Sequence, residues 1–460
     1  MIAAKGEFKQ FVFGQTAALD RPLSPDEIKG LVLRGRQIRE SVAAPSQDEI
    51  IAVFAGLAKA WVDPGYAKRR EAFDSLCKKS GLSPEFTDLA LEEFAKIISP
   101  RYLLDKIEGE LGSAGIQARP VAQKDPHIHY IVQPAGLVLH VASGNVFLAG
   151  IESLIDGIIT RNVNFLKMST ADMAFPVIFA ESIRQFDKAG AITGRLAVLW
   201  WPGGGAAIEK HFKEHMDRIV FWGGVDALKN WQKDLGESAT LIKHGHKLSF
   251  GVISRAGLDA AILPALADNI ALDISIWDQK ACNCPQTLFL EESIPAGELK
   301  KFVDALAASL EKANTVFPPS RRSDDEYVEI LKARELADAK GLMTSDPVSV
   351  IGPATFDWTI ILEEKGSAKD FEASPLNRTI RVKRYTSLRT LSDLFKGYAF
   401  YLQTAGCCLG SEETGEYGAG LSACGVTRLC PFGSMTIPTP GTPHDGSFSM
   451  RDLTRITVIE

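Results

Sequence analysis

Read for the spacing of apolar and polar positions, the chain divides into three stretches. From about residue 23 to 110, apolar residues recur at helical spacing. Ser24-Pro25-Asp26-Glu27 sets a capping serine, a first-turn proline and two acids in order, a strong helix start. Ser83-Pro84-Glu85 repeats the device, and Ser99-Pro100 marks a break. Between about 115 and 133 the period shortens to two. Ile116–Val121 and His127–Val132 predict two exposed strands around a turn at Lys124-Asp125-Pro126, an edge ribbon with one polar face.

Beyond this ribbon, short apolar runs alternate with helical stretches. Leu137–Ala142, Asn164–Lys167, Leu196–Trp200 and Arg218–Trp222 read as strands, separated by helices over Phe147–Thr160, Ala171–Ala189 and Ala206–His215. Continuous apolar strands alternating with helices predict a parallel sheet covered on both faces. Such sheets take ligands at the carboxyl ends of their strands. Three loops fall there: Ser143-Gly144-Asn145, Pro202-Gly203-Gly204-Gly205 and Gly223-Gly224-Val225-Asp226. A second α/β unit is expected from about 250 to 430, broken at Phe317-Pro318-Pro319-Ser320, with a surface loop over Glu363–Pro375 and a terminal strand over Arg455–Ile459. No internal repeat or low-complexity tract is visible.

Composition narrows the class. A chain of 460 residues exceeds what one core usually supports, so two or three domains are expected. Hydrophobic content of 45% and charged content of 23% describe a soluble globular protein. The formal charge of −6 leaves no basic footprint for nucleic acid. No apolar run reaches the roughly 18–20 residues of a membrane helix, and Met1–Gln10 lacks the pattern of a signal peptide. Seven cysteines, an odd number, make no disulfide framework, so a reducing cytoplasm is the expected location.

Cys282 carries the strongest chemistry. It sits in Trp277-Asp278-Gln279-Lys280-Ala281-Cys282-Asn283-Cys284-Pro285-Gln286, a polar stretch after a helical pattern over Leu258–Leu272 and before the strand-like Thr287–Leu290. A thiol on a loop between rigid elements is placed to meet substrate; a small buried apolar residue is the other reading. Cys284 reads as packing, with a resting bond to Cys282 as the alternative. Gly203-Gly204-Gly205 and Gly223-Gly224 either serve tight turns or let backbone approach a bulky, phosphate-bearing ligand. No G-x-G-x-x-G follows the first strand. Lys167 ends a strand, as a solvated cation or as a contact to a ribose or phosphate. Cys407-Cys408, Cys424 and Cys430 lack a C-x-x-C pair, and no metal site is expected. His127-x-His129 and His244-x-His246 have strand spacing that puts both rings on one face; they read as surface or cofactor-edge histidines rather than metal ligands, and His140 reads as a satisfied core histidine.

These motifs together resemble the aldehyde dehydrogenase superfamily. Pro134–Asn145 is similar to its entry strand, which ends in a Pro-Trp-Asn loop. Lys167 falls at the place of its cofactor lysine, and Phe221-Trp222-Gly223-Gly224-Val225-Asp226 resembles its Phe-Thr-Gly-Ser motif. Cys282 falls at the catalytic thiol. Cys282-Asn283-Cys284-Pro285-Gln286-Thr287-Leu288 is also similar to a Cys-Asn-Ala-x-Glu-Thr-Leu motif of glutamyl-phosphate reductases, which favours Cys282 over Cys284. Within the superfamily, Ala142–Asn145, Asp278-Gln279-x-Ala281-Cys282 and the tail from Gly425-Val426-Thr427-Arg428 through Gly433 to Asp445-Gly446 resemble the acyl-CoA reductase branch, typified by the fatty acid reductase of bacterial luminescence. The roles of Arg428 and Asp445 default to salt bridging.

The resemblance implies an α/β, aldehyde dehydrogenase-like fold. Its parts would be an N-terminal helical portion of the cofactor domain (1–115), a β-ribbon oligomerisation arm (116–133), a Rossmann-type dinucleotide domain (134–247), a catalytic thiol domain (248–430) and a C-terminal return (431–460). Ser143, Lys167, Ser169, Thr170, Gly203, Gly204, Gly223 and Gly224 would hold the cofactor; Asn145 and the backbone N–H of Cys282 would stabilise an oxyanion. Two departures refine the expectation. Lys243-His244-Gly245-His246-Lys247 puts a lysine where aldehyde oxidisers carry the glutamate that activates water. A thioacyl enzyme should then persist to accept hydride. Thr170 stands where NAD-preferring members often hold the ribose with a glutamate, which favours NADPH. The expected reaction is reduction of an acyl-CoA or acyl-carrier-protein thioester to an aldehyde, with an acyl-transferring protein as a further partner and a homodimer or homotetramer as the assembly. An aldehyde dehydrogenase, an acyl-phosphate reductase and a non-catalytic binding subunit are the alternatives.

Overall fold

The computed structural model describes residues 8–112, 115, 121–122, 127–343, 347–368 and 370–460. The chain forms two compact units. One gathers the chain up to Ser80, Thr87–Gly245 and Thr439–Glu460; the other gathers Gly81–Phe86 and His246–Pro438.

The first unit is built on a seven-stranded sheet in the order Gln15–Leu19, Phe8–Val12, Leu196–Leu199, Val163–Lys167, Leu137–Val141, Arg218–Trp222, Thr240–His244. The last five are parallel, as the apolar runs predict. Counted in chain order they run 3-2-1-4-5, so the order reverses between Leu137–Val141 and Arg218–Trp222, the crevice where such sheets take ligands. Every residue of Leu137–Val141 is buried, as expected of a strand covered on both faces. The hairpin Phe8–Val12 and Gln15–Leu19 extends the sheet antiparallel from Leu196–Leu199; it precedes the helical stretch and its five-residue strands carry no clean alternation.

Capping chemistry sets the helix boundaries. Ser24 and Glu27 form a reciprocal capping box on Pro25–Ser41, and Ser99 caps Pro100–Leu111. The expected helix over Ala171–Ala189 contracts to Phe175–Phe186. Asp172 explains its start, accepting from the Ala174 and Phe175 N–H groups at 3.2 and 3.0 Å. Asp187 explains its end, its carboxylate gathering the N–H groups of Ala191, Ile192 and Thr193. The core beneath the sheet is aromatic: Phe165 and Phe212 are fully buried, and Trp201 stacks on Phe212 with ring centroids 5.0 Å apart. His140 is the satisfied core histidine of the sequence reading, bonded to Ser153 at 2.7 Å and Asn164 at 3.1 Å; burial pushes it down to about 4, partly offset by Asn164.

A three-stranded sheet joins Thr454–Ile459, His129–Pro134 and Val121–Ala122, all antiparallel. The terminal strand thus forms where expected. Most of the first ribbon strand, 116–120, and the turn at Lys124-Asp125-Pro126 lie outside the described residues. The returning tail is tied back through main-chain carbonyls: Ala135 N–H and the Asn162 amide donate to Leu453 at 3.0 Å, and Arg218 donates to Asp452 at 2.8 Å.

The second unit has its own seven-stranded sheet, ordered Val348–Ile351, Thr359–Ser367, Thr379–Tyr385, Pro285–Glu291, Leu248–Ile253, Leu402–Cys408, Arg428–Pro431. Six strands are parallel, and Val348–Ile351 runs antiparallel at one edge. The surface loop expected over Glu363–Pro375 begins instead as strand. Glu363 is tolerated there because Lys340 and Lys383 neutralise it at 2.8 and 3.5 Å. Among the described residues no helix is long and apolar enough to cross a membrane.

Candidate active site

In the first unit, the carboxyl edge of the parallel sheet collects nine of the expected residues. Val141 pairs with Lys167, so their strands end level, and the Ala142 N–H donates to the Lys167 carbonyl at 3.0 Å. Ser143 and Ser169 line one small cleft with Phe147, Ile151 and Asp172. A Cβ on Gly144 would sit 2.6 Å from the Ser169 hydroxyl and 3.0 Å from the Ala171 Cβ, so Ser169 would have to shift to admit one. Asn145 is exposed on the turn that leads into Phe147–Ile159. Thr170 accepts from the Trp200 indole at 3.4 Å. The Lys167 ammonium lies 5.4 Å from the centre of the Trp201 ring; burial pushes its pKa down and Glu209 pulls it back up.

Gly203 and Gly204 follow the strand Leu196–Leu199, and Gly204 has φ +79°, a left-handed turn into Ala206–His215. Gly223 and Gly224 follow Arg218–Trp222 and lead into Val225–Gln232. Neither helix has a side-chain cap; at the first, the Ala206 and Ile208 N–H groups turn back onto the Gly204 and Gly205 carbonyls at 2.8 and 2.9 Å. A Cβ on Gly203, Gly204 or Gly224 would meet nothing within 4 Å. The uncapped N-terminus of Val225–Gln232 beside open space at Gly224, together with the half-buried Lys167 cation, fits a phosphate of a dinucleotide.

In the second unit, Cys282 is half-buried in the turn between Leu263–Ser275 and Pro285–Glu291. Its carbonyl accepts from Ser249 Oγ at 2.7 Å, and Ser249 accepts from the Thr404 N–H at 3.2 Å, so the turn hangs from two neighbouring strands. Before it, Trp277, Asp278 and Gln279 all adopt left-handed backbone, with φ of 57°, 48° and 64°. For non-glycine residues such backbone costs about 1 kcal/mol or more each, and persists only where its surroundings fix it. A second left-handed run, Leu376-Asn377-Arg378, supplies the fixing. Arg378 Nε donates to Asp278 Oδ1 at 2.8 Å with both side chains nearly inaccessible. The Asn377 N–H donates to the Asp278 carbonyl at 3.0 Å, and the Thr379 N–H to Gln279 Oε1 at 2.9 Å. Ser320 N–H closes on the other Asp278 oxygen at 3.0 Å, and Gln279 donates to the Pro285 carbonyl at 2.6 Å.

The other cysteines separate cleanly. Cys284 is fully buried, its thiol donates to the Ile276 carbonyl at 3.4 Å, and burial pushes its pKa well above the usual thiol value, which suits packing. Burial also raises Cys407 to about 12 and Cys408 and Cys430 to about 11. Arg428 does not follow the salt-bridge default: its guanidinium donates to the carbonyls of Ser434, Met435 and Ile437. Asp445 instead shares a short contact with a histidine, its Oδ2 standing 3.0 Å from His244 Nδ1. His244 closes its strand and stacks on Trp222 at 4.0 Å, whereas His246 lies beyond the strand and is exposed, so the two do not share a strand face. His127 likewise sits in the turn ahead of the strand that His129 begins.

Comparison with known proteins places this architecture. The long-chain acyl-protein thioester reductase of Vibrio harveyi is 28% identical over 403 residues, covering 86% of this chain and 78% of that protein. The enzyme of the same description from Photorhabdus laumondii is 29% identical over 400 residues, with the same coverage. Among solved structures, aldehyde dehydrogenase 21 of Physcomitrella patens superposes with a TM-score of 0.73 at 13% identity, covering 98% of this chain and 97% of that one. Aldehyde dehydrogenase C of Pseudomonas syringae gives 0.73 at 12% identity, covering 100% and 98%. The fold is therefore that of the aldehyde dehydrogenases. The profile of the acyl-CoA reductase (LuxC) family matches residues 42–456, and the chain belongs to that family.

Proposed function

We propose that this protein reduces an acyl thioester to an aldehyde, using NADPH and a thioacyl intermediate on Cys282. The family match over residues 42–456 carries the reading, supported by relatives described as long-chain acyl-protein thioester reductases. Cys282 as thiolate attacks the thioester carbonyl, and its own backbone N–H stabilises the tetrahedral oxyanion. The carbon–sulfur bond to the carrier breaks and the carrier thiolate takes up a proton. When bound, the reduced nicotinamide supplies the hydride that turns the acyl carbon into an aldehyde. The bond to Cys282 then breaks, its electron pair returning to sulfur, and the thiolate is restored. Ser143, Lys167, Ser169 and Thr170, with the turns at Gly203-Gly204 and Gly223-Gly224, bind and orient the dinucleotide. Lys243, exposed on Thr240–His244, offers no carboxylate to activate water against the thioacyl group.

Acyl-enzyme trapping by mass spectrometry tests the reading. An acyl mass on the Cys282 peptide, cleared as aldehyde when NADPH is added, is the expected result. Clearance by water as free acid would indicate an oxidiser, and no adduct a binding subunit. Cofactor choice rests on Thr170, which presents no carboxylate to repel a 2′-phosphate. KM for NADPH should be about tenfold or more below that for NADH, a difference of about 1.4 kcal/mol; a strong NADH preference would remove this assignment. Self-association through the sheet of Thr454–Ile459 and His129–Pro134 fits the exposed apolar Ile456 and Val458 on its terminal strand.

A further inference from the structure

We propose that His244, His444 and Asp445 form a binding site for a divalent transition-metal ion of the zinc type. Each residue offers one donor atom, and the three atoms lie within 4.8 Å of one another. His244 Nδ1 stands 3.0 Å from Asp445 Oδ2, and His444 Nε2 stands 3.7 Å from the same oxygen. Zinc bonds of about 2.0–2.1 Å in tetrahedral geometry put neighbouring donors about 3.3 Å apart. The two spans to Asp445 bracket that value.

The frame is built to hold such a set. His244 is fixed by its strand and by the Trp222 ring stacked on it at 4.0 Å and 16°. His444 and Asp445 sit on a tight loop closed by paired bonds between His444 and Ser447, at 2.8 and 2.9 Å. Asp445 takes left-handed backbone, φ 51°, to present its carboxylate. Asp156 and Asp452 lie close enough for their carboxylates to act on His244, and Lys106 and Arg218 partly answer them. Two imidazoles and one carboxylate suit zinc or its neighbours and not the all-oxygen shells of calcium or magnesium. Three protein donors leave a fourth position for water. The competing account, a plain hydrogen-bonded aspartate–histidine pair, uses the same contacts but predicts no metal uptake. The Gly223 N–H donates to the His244 carbonyl at 3.2 Å, so an ion here would also stiffen the glycine turn that follows Trp222.

The test reads metal directly and is independent of the reductase reading. The full-length chain is stripped with chelator, dialysed and titrated with zinc ion at pH 7.5, followed by calorimetry and elemental analysis. The expected result is about one equivalent per chain with a micromolar or tighter dissociation constant, and a rise of several degrees in Tm. Affinity should fall in acid, where protons compete with the metal for the donor atoms. His444→Gln and Asp445→Asn should each weaken binding tenfold or more, while His246→Gln leaves it unchanged, with circular dichroism confirming the fold of each. Trp222→Phe should keep the zinc and lose the zinc-induced change in tryptophan emission. Failure of the wild-type chain to take up zinc, or stoichiometric uptake surviving in the His444→Gln/Asp445→Asn double variant, overturns the proposal.

Discussion

Cys282→Ala is expected to abolish aldehyde formation and acyl labelling together, lowering turnover by roughly 10⁴-fold or more, the scale seen when a covalent nucleophile is removed. Stability should hardly change, because the residue is only half-buried and its carbonyl, which accepts from Ser249, is kept by alanine. The neighbouring thiol supplies the contrast. Cys284→Ala empties a fully buried position, so it should cost about 1 kcal/mol or slightly more in stability while leaving the labelling of Cys282 intact. Rapid-quench acylation with a radiolabelled acyl-CoA, run beside urea denaturation, separates the two. An alanine variant at 282 that still forms aldehyde at about one hundredth of the wild-type rate or better would remove the cysteine from the mechanism.

The second large effect is expected at Arg378. Its guanidinium is nearly inaccessible and answers Asp278 at 2.8 Å, so Arg378→Leu leaves a buried carboxylate facing only the Ser320 N–H among its named partners. Removing one partner of a buried pair costs about 3–5 kcal/mol. Burial pulls the Arg378 pKa down and Asp278 pulls it up, the balance expected of a pair held together out of water. The left-handed run Trp277–Gln279 loses its clamp at the same time, so acylation of Cys282 should slow even in protein that remains folded. The Asp278→Leu/Arg378→Leu double variant should be less unstable than the sum of the single variants, because neither charge is then stranded. Urea midpoints for all four combinations decide it, and a loss below about 1 kcal/mol in Arg378→Leu would show that the pair does not brace the loop.

Much of the first sheet was legible because its signal is local. Leu137–Val141 and Arg218–Trp222 are short apolar runs bounded by polar turns, and the observed strands match them closely. Cys282 was legible through its polar loop and the motif around it, and the glycine turns through their composition. The clamp on that loop was not. Asp278 and Arg378 are 100 residues apart, and left-handed backbone at Trp277, Leu376 and Arg378 leaves no trace in residue type, since these are not the glycines or asparagines that usually adopt it. The pairing of His244 with Asp445, 201 residues distant, is equally silent in sequence. The spacing of His244 and His246 pointed along the strand, whereas the partner came from the chain's far end.

That far end bears on how the protein is made. Leu453 accepts from Ala135 and Asn162, and Thr454–Ile459 completes the sheet of His129–Pro134. Residues that begin the first unit therefore leave the ribosome hundreds of residues before the strand that finishes it. Everything the second unit needs, from Gly81 to Pro438, is synthesised in the interval. Vectorial synthesis thus favours maturation of the inserted unit while the enclosing one waits open, with its partly built sheet as the segment most in need of protection by chaperones.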